Sequence, residues 1–233
     1  MDLNKNFSLL EKQMEYLFTD KSLLKEALTH PSCNLEKKEK NYERLEFLGD
    51  AVLNLIVAEL LYTKYREVFE DKLSSMRAKL VSCNAICLVA NEIGLGDMII
   101  LSQGEERNGG RQNPRNIENT MEALIGAIYL DGGIAASTRS VGKLWLPLIE
   151  NQEILGIDSK TYLQEWAQKN KYKIPVYSLV STNGSSHAPI FEIQVEIQGV
   201  GKTVASGNNK KEAEKEAASL FLQKFISVKV TKK

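Results

Sequence analysis

In the stretch NYERLEFLGDAVLNLIVAELLY, residues 41–62, Glu43, Glu46 and Asp50 stand at i, i+3 and i+7. That spacing stacks side chains on one face of a helix. Around them Leu45, Phe47, Leu48, Ala51, Val52, Leu53, Leu55, Ile56 and Val57 make the segment apolar on nearly every side, the pattern of a buried helix. Crowded carboxylates repel one another, and partial burial adds desolvation, so they go neutral unless a cation offsets the charge. A hard divalent ion such as Mg2+ takes oxygen ligands and keeps several waters, so a few carboxylates suffice. The same acids also suit a solvated helix start, where the dipole favours them. A second apolar helix, NTMEALIGAIYLDGG, adds Asn119 and Glu122 at i, i+3, and two such helices can converge on one ion. Gly49 inside the first helix costs about 1 kcal/mol against alanine. It marks a close backbone approach, either helix against helix or across a homodimer. Phe47 beside it is open to two readings, core or homodimer contact.

These residues need helices to carry them, and the first two thirds of the chain reads as helical. Apolar spacings of three and four predict helices over 7–18, 21–28, 42–65, 71–82, 84–93, 116–130 and 135–149. His30-Pro31 ends the second, because a residue before proline avoids helical angles. His30 itself is better read as a helix-end hydrogen-bonding residue than as a general base. LEKKEKN, 35–41, is a charged loop, and SQGEERNGGRQNPRN, 102–116, reads as a flexible surface loop whose Arg107, Arg111 or Arg115 could meet a phosphate backbone. Past 150 the period changes. A short helix over 159–169, capped by Asp158 or Ser159, precedes the alternating runs VYSLV, FEIQVEI and KTVAS, and Asn209 caps a final helix, KKEAEKEAASLFLQKF. Trp166, Phe191 and Phe221 are assigned to the core of this module. The expected fold is an all-α domain over 1–150, a linker over 151–157, a small α+β (α-β-β-β-α) domain over 158–227 and a basic tail over 228–233.

The charges divide along the same boundary. Residues 1–155 hold 18 Lys+Arg against 23 Asp+Glu, whereas 156–233 hold 12 lysines against 7 acids. The basic part is the one suited to a polyanion. Cys33, Cys83 and Cys87 form no CxxC pair and the two histidines add no zinc spacing, which fits reduced thiols and a cytoplasmic protein. The N-terminus lacks a signal-peptide core, and no apolar run reaches membrane-spanning length. There is no GxSxG, and GEERNGG lacks the Lys and Ser/Thr of a P-loop.

ERLEFLGDAVL (43–53), with LTHPS (28–32), MRAKLV (76–81), GEERNGGR (104–111) and EALIGAIYLDGG (122–133), closely resembles ribonuclease III, the double-stranded-RNA endonuclease. LQEWAQ (163–168), the His187 loop and NKKEAEKEAA (209–218) resemble a double-stranded RNA-binding domain, and the layout is similar to the bacterial form. The resemblance implies metal ligands at Glu46, Asp50, Asn119 and Glu122, with Asp50 and Glu122 the most directly catalytic acids and Glu43 and Glu70 accessory. It also implies a homodimer with Phe47, and Gly49 beside it, at the interface. RNA contacts would come from Thr161, Gln164, Glu165 and Gln168 on one helical face, from His187, and from Lys210 and Lys211 facing phosphates, with Lys215 one turn on. The implied activity is Mg2+-dependent hydrolysis of double-stranded RNA, with Mn2+ as a substitute, leaving 5′-phosphate and 3′-hydroxyl ends with short 3′ overhangs. Processing of ribosomal, messenger and transfer RNA precursors would follow. The chain departs from the family at Asn119, where Asp is usual. The alternative is therefore a catalytically weakened double-stranded RNA-binding protein.

Overall fold

The structure, a computed structural model, describes residues 3–33, 40–66, 68–156, 158–185 and 188–226. Residues 35–39 of the charged loop, His187 and the tail 228–233 lie outside the described residues. The chain divides into two compact units, Met1–Leu155 and Gly156–Lys233.

The first unit is helical: α1 (Leu3–Met14), α2 (Lys21–Leu28), α3 (Glu43–Lys64), α4 (Glu70–Leu80), α5 (Cys83–Glu92), α6 (Leu95–Met98), α7 (Gln103–Arg107), α8 (Pro114–Glu150) and α9 (Gln152–Leu155). Its centre is the pairing of α3 with α8. Leu45, Val52, Leu53, Ile56, Val57 and Leu61 of α3 bury against Met121, Leu124, Ile125, Ile128 and their neighbours of α8. Gly49 and Gly126 let the two backbones touch. A Cβ on Gly49 would strike the Glu122 carbonyl, and one on Gly126 would strike that of Leu45. The homodimer reading of Gly49 is thereby corrected: it is buried against a helix of its own chain.

Helix α8 starts with Pro114 at its first turn and Asn113 as the cap, whose side chain accepts from the Arg115 N–H at 3.0 Å. It covers both helices expected over 116–130 and 135–149, and the break between them is Gly133, held at φ 71°. The first helix lies earlier than expected, because Glu15 takes a left-handed φ of 51° and ends it at Met14. The segment assigned as a linker opens with α9. Leu155 there is buried and its carbonyl accepts from Lys79 Nζ at 3.1 Å, so residues up to 155 belong to the first unit.

The loop 102–113 is built rather than loose. It forms α7 and a 3-10 turn over Gly110–Gln112, and Arg111 fastens both. Its guanidinium takes Glu106 with two bonds, 2.6 and 2.9 Å, and donates to the carbonyls of Asp97 at 3.0 Å and Ile99 at 2.8 Å. Arg111 is therefore a structural clamp, not a free phosphate contact; Arg107 and Arg115 remain exposed.

The second unit comprises α10 (Ser159–Lys169), β1 (Val176–Ser185), β2 (Ala188–Ile197), β3 (Gly201–Gly207) and α11 (Lys210–Phe221). The sheet is antiparallel in the order β1-β2-β3, with a bulge between Leu179 and Ser181. Leu163 and Ala167 of α10, Val195 and Ile197 of β2, and Ala217, Ala218 and Phe221 of α11 form the core, with Trp166 packed against it. The strands pair as far as Ser185↔Ala188. Phe191 is half-buried with Lys210 Nζ 6.0 Å above its ring, closer to the surface than the expected core position. The final helix is α-helical to Phe221 and then widens into a π-turn over Leu222–Ile226.

Candidate active site

Helix α3 begins at Glu43, where the Asn41 side chain accepts from the Glu43 N–H at 3.1 Å and donates to its carboxylate at 2.9 Å. Glu43 is thus an exposed residue tied to the start of the helix. One turn on, Glu46 is half-buried. Burial first, then the charges of Glu43, Glu118 and Asp50, raise its pKa, and Arg115 opposes them. Asp50 is exposed and accepts from Asn54 Nδ2 at 2.8 Å.

Across the α3–α8 contact stands Glu122, only 9 % exposed. Burial, then Asp50, Glu118 and Glu46, push its carboxyl up to about 8. None of the described residues gives this carboxylate a hydrogen bond. A buried acid facing three others without a countercharge is costly in either protonation state. Asn119 is half-buried and lies near the hydroxyl of buried Tyr42, whose pKa burial raises to about 12. The phenol therefore stays neutral. Glu46, Asp50 and Glu122 are thus near enough for their charges to weigh on one another. Glu70 opens α4 and accepts from Ser74 Oγ at 2.8 Å.

The donors are oxygen atoms carrying excess negative charge, which suits a hard divalent cation. The acids do not form a closed cage: among the described residues, no three His, Cys, Asp or Glu side chains are grouped tightly enough to hold an ion. The fit is one of charge and donor type.

Two neighbours of the acids escaped the sequence reading. Glu118 lies one turn before Glu122, the i, i+4 signal that could have found it. Tyr42 directly precedes the acidic helix, but nothing in its spacing points to Asn119. His30 is fully employed, as its helix-end reading expected. Its Nδ1 accepts from the Ser32 N–H at 3.0 Å, so Nε2 donates to Asn116 Oδ1 at 3.2 Å. Asn116 Nδ2 in turn donates to Glu105 at 3.0 Å and to the Gly110 carbonyl at 3.1 Å, pinning the α7 loop to the start of α8.

In the second unit Thr161, Gln164, Glu165 and Gln168 share the exposed face of α10. Asp158 caps this helix, accepting from the Thr161 N–H at 2.9 Å and bonding its hydroxyl as well. Lys210 and Lys211 are exposed at the start of α11, where Asn209 Oδ1 accepts from the Glu212 N–H at 2.9 Å and Glu212 accepts from the Asn208 N–H at 3.1 Å.

A helical unit that gathers carboxylates across two touching helices, followed by an α-β-β-β-α unit with a basic helix start, is the architecture of a nuclease joined to a nucleic-acid-binding module. Residues 20–148 match the family described as Ribonuclease-III-like, and residues 159–225 match the double-stranded RNA binding motif. The chain is 47 % identical over 223 residues to Ribonuclease 3 of Rickettsia bellii, covering 94 % of this chain and 98 % of that one. It is 45 % identical over 227 residues to Ribonuclease 3 of a Wolbachia of Brugia malayi, covering 96 % and 92 %. The crystal structure of the ribonuclease III nuclease domain from Campylobacter jejuni superimposes with a TM-score of 0.54 at 45 % identity, covering 61 % of this chain and 92 % of that domain. A second structure of that domain, described as flexible in a region involved in dimer formation, gives 0.55 at 43 % identity, covering 64 % and 98 %. The chain belongs to the ribonuclease III family of endoribonucleases.

Proposed function

We propose that this chain cuts double-stranded RNA by hydrolysing phosphodiesters with the help of a divalent cation, Mg2+ or in its place Mn2+, held by Glu46, Asp50, Asn119 and Glu122. The observation that carries the reading is Glu122, a buried carboxylate with no hydrogen-bond partner among the described residues, facing Asp50, Glu118 and Glu46. When bound, the ion supplies charge neutralisation at the scissile phosphate and activation of a water.

The chain's own residues do the rest. The close α3–α8 contact at Gly49 and Gly126 fixes the distance between acids from distant segments. Exposed Arg115, whose charge reaches Glu46, is suited to receive a phosphate of the incoming strand. The products would carry 5′-phosphate and 3′-hydroxyl ends.

A homodimer would place two such sites on one duplex, cutting both strands with a short 3′ overhang. Phe47, Leu55 and Tyr62 favour it: 82 %, 59 % and 75 % exposed, they are large apolar side chains on one side of α3. The second unit would grip the duplex by shape. Thr161, Gln164, Glu165 and Gln168 suit 2′-hydroxyls in the minor groove, and Lys210 and Lys211 suit phosphates. The implied substrates are structured precursors of ribosomal, messenger and transfer RNA, in the cytoplasm; no single described helix is long and apolar enough to cross a membrane.

Incubating the protein with a long RNA duplex in Mg2+ or in EDTA tests the reading. Cleavage in Mg2+ alone, with ligatable 5′-phosphate ends, is expected. Duplex that shifts on a native gel but stays uncut in Mg2+ would favour the second reading, a binding protein weakened by the neutral amide at Asn119.

A further inference from the structure

Cys83 and Cys87 have no part in the chemistry assigned to the acids. They stand at i, i+4 on α5, both half-buried and both free thiols, with their sulfur atoms 3.9 Å apart. Ser82 fixes the start of the helix by accepting from the Ala85 N–H at 3.4 Å, and Ala85, Ile86, Val89 and Ala90 hold it in the core. Cys87 Sγ donates to the Pro114 carbonyl at 3.3 Å, which sets that thiol against the first residue of α8. The pair is thus positioned by a packed helix.

A disulfide does not suit this pair. It needs Cβ atoms about 3.5–4.5 Å apart, and helical residues at i, i+4 hold theirs at about 5–6 Å. A single thiophilic atom between the sulfurs does suit it. Two bonds of about 2.3 Å, the zinc–thiolate length, reach across as much as about 4.6 Å, and the 3.9 Å separation lies inside that span. Among the described residues no three His, Cys, Asp or Glu side chains are grouped to hold a metal ion, so the pair offers two sulfur ligands and no third. That selects a centre that takes two bonds from the protein and carries its remaining substituent itself, which is the chemistry of a trivalent organoarsenical. Burial raises both thiol pKa values, that of Cys83 to about 12, so both are protonated at neutral pH and slow towards oxidants. An arsenic-bound oxygen accepts those protons as the sulfurs bind.

We propose that Cys83 and Cys87 form a dithiol site that captures trivalent organoarsenicals as a two-sulfur chelate. In the step, an arsenic oxide RAs=O meets the two thiols. Two As–S bonds form, the arsenic–oxygen double bond breaks, and the oxygen leaves with both thiol protons as water. Arsenic stays trivalent and no sulfur is oxidised. The second As–S bond closes within the protein, and such intramolecular closure strengthens the hold by about a hundredfold over a single thiol.

The test is to incubate the folded, full-length protein with phenylarsine oxide in excess glutathione and to measure its intact mass. One phenylarsenic group per chain is expected, carried by the tryptic fragment that holds Cys83 and Cys87 and not by the one that holds Cys33, and removed by dimercaptopropanol. Cys83→Ser and Cys87→Ser should each need about a hundredfold more reagent for the same occupancy, whereas Cys33→Ser should match the parent. A parent chain that retains no arsenic, or retains it on the Cys33 fragment, would overturn the proposal, and neither result depends on a variant that folds. Retention in Cys83→Ser equal to the parent's would also overturn it. So would retention that appears only in urea, because the folded spacing of the sulfurs would then play no part.

Discussion

Asp131 shows how much one side chain can hold. Its carboxylate accepts from the Tyr16 hydroxyl at 2.7 Å, the Thr19 N–H at 2.7 Å and the Asp20 N–H at 3.0 Å, tying the α1–α2 connection to α8. Burial disfavours the ionised form, but these three hydrogen bonds and the Lys21 charge outweigh it and hold the pKa below its ordinary value. A depressed folded-state pKa gives stability that is present above the unfolded value of about 3.9 and lost as pH falls through the folded one. Asp131→Asn should therefore cost about 1 kcal/mol at neutral pH, the size of a lost helix cap. The gap to the parent should close below about pH 4, as read by thermal melts across pH. Glu122→Gln belongs to the same scale. It keeps the shape of a buried carboxyl but removes its charge, so cleavage in Mg2+ should fall by about two orders of magnitude or more while duplex binding in EDTA stays at the parent level. Cleavage that survives this change would remove Glu122 from the site.

At the scale of elements, the contact of α3 with α8 is the feature on which the site depends. Gly49→Ala puts a methyl group into the Glu122 carbonyl, and the helices can only part. An overpacking cost of about 3 kcal/mol is expected, visible as an earlier denaturant midpoint of the helical unit, together with weaker ion binding because Glu122 moves with its backbone. Helix α11 makes a separate prediction. Lys210→Ala with Lys211→Ala should flatten the dependence of duplex affinity on salt by about one unit of log–log slope per lysine. An unchanged slope would mean that these lysines face solvent in the complex.

For the whole molecule, the open question of assembly lies on α3. Its buried side is spent on α8, yet Phe47, Leu55 and Tyr62 face outward. Phe47→Asp with Leu55→Asp should turn a dimer into a monomer in sedimentation velocity, because a charge facing its own copy is repelled and desolvated. Melting of the helical unit should change less than assembly does, since neither side chain is in the core. A species that sediments identically with and without the substitutions would rule out this face.

Much of this architecture was legible in the chain itself. The helix periods, the change to alternation after 150, the caps at Asp158 and Asn209, and the acids of α3 and α8 all follow from local rules, because spacing along a helix or strand decides which side chains share a face. The gap left between the helices expected over 116–130 and 135–149 contains the break at Gly133. What lay beyond the sequence were relations between segments far apart in it. Gly49 meets the Glu122 backbone, Arg111 clamps its loop through the carbonyls of Asp97 and Ile99, and the charge of Glu118 weighs on Glu122. Each depends on how α3, α8 and the 102–113 loop pack. Residue types fix what a side chain can do, but packing fixes which distant group it meets, and the charge state of Glu122 comes from that packing.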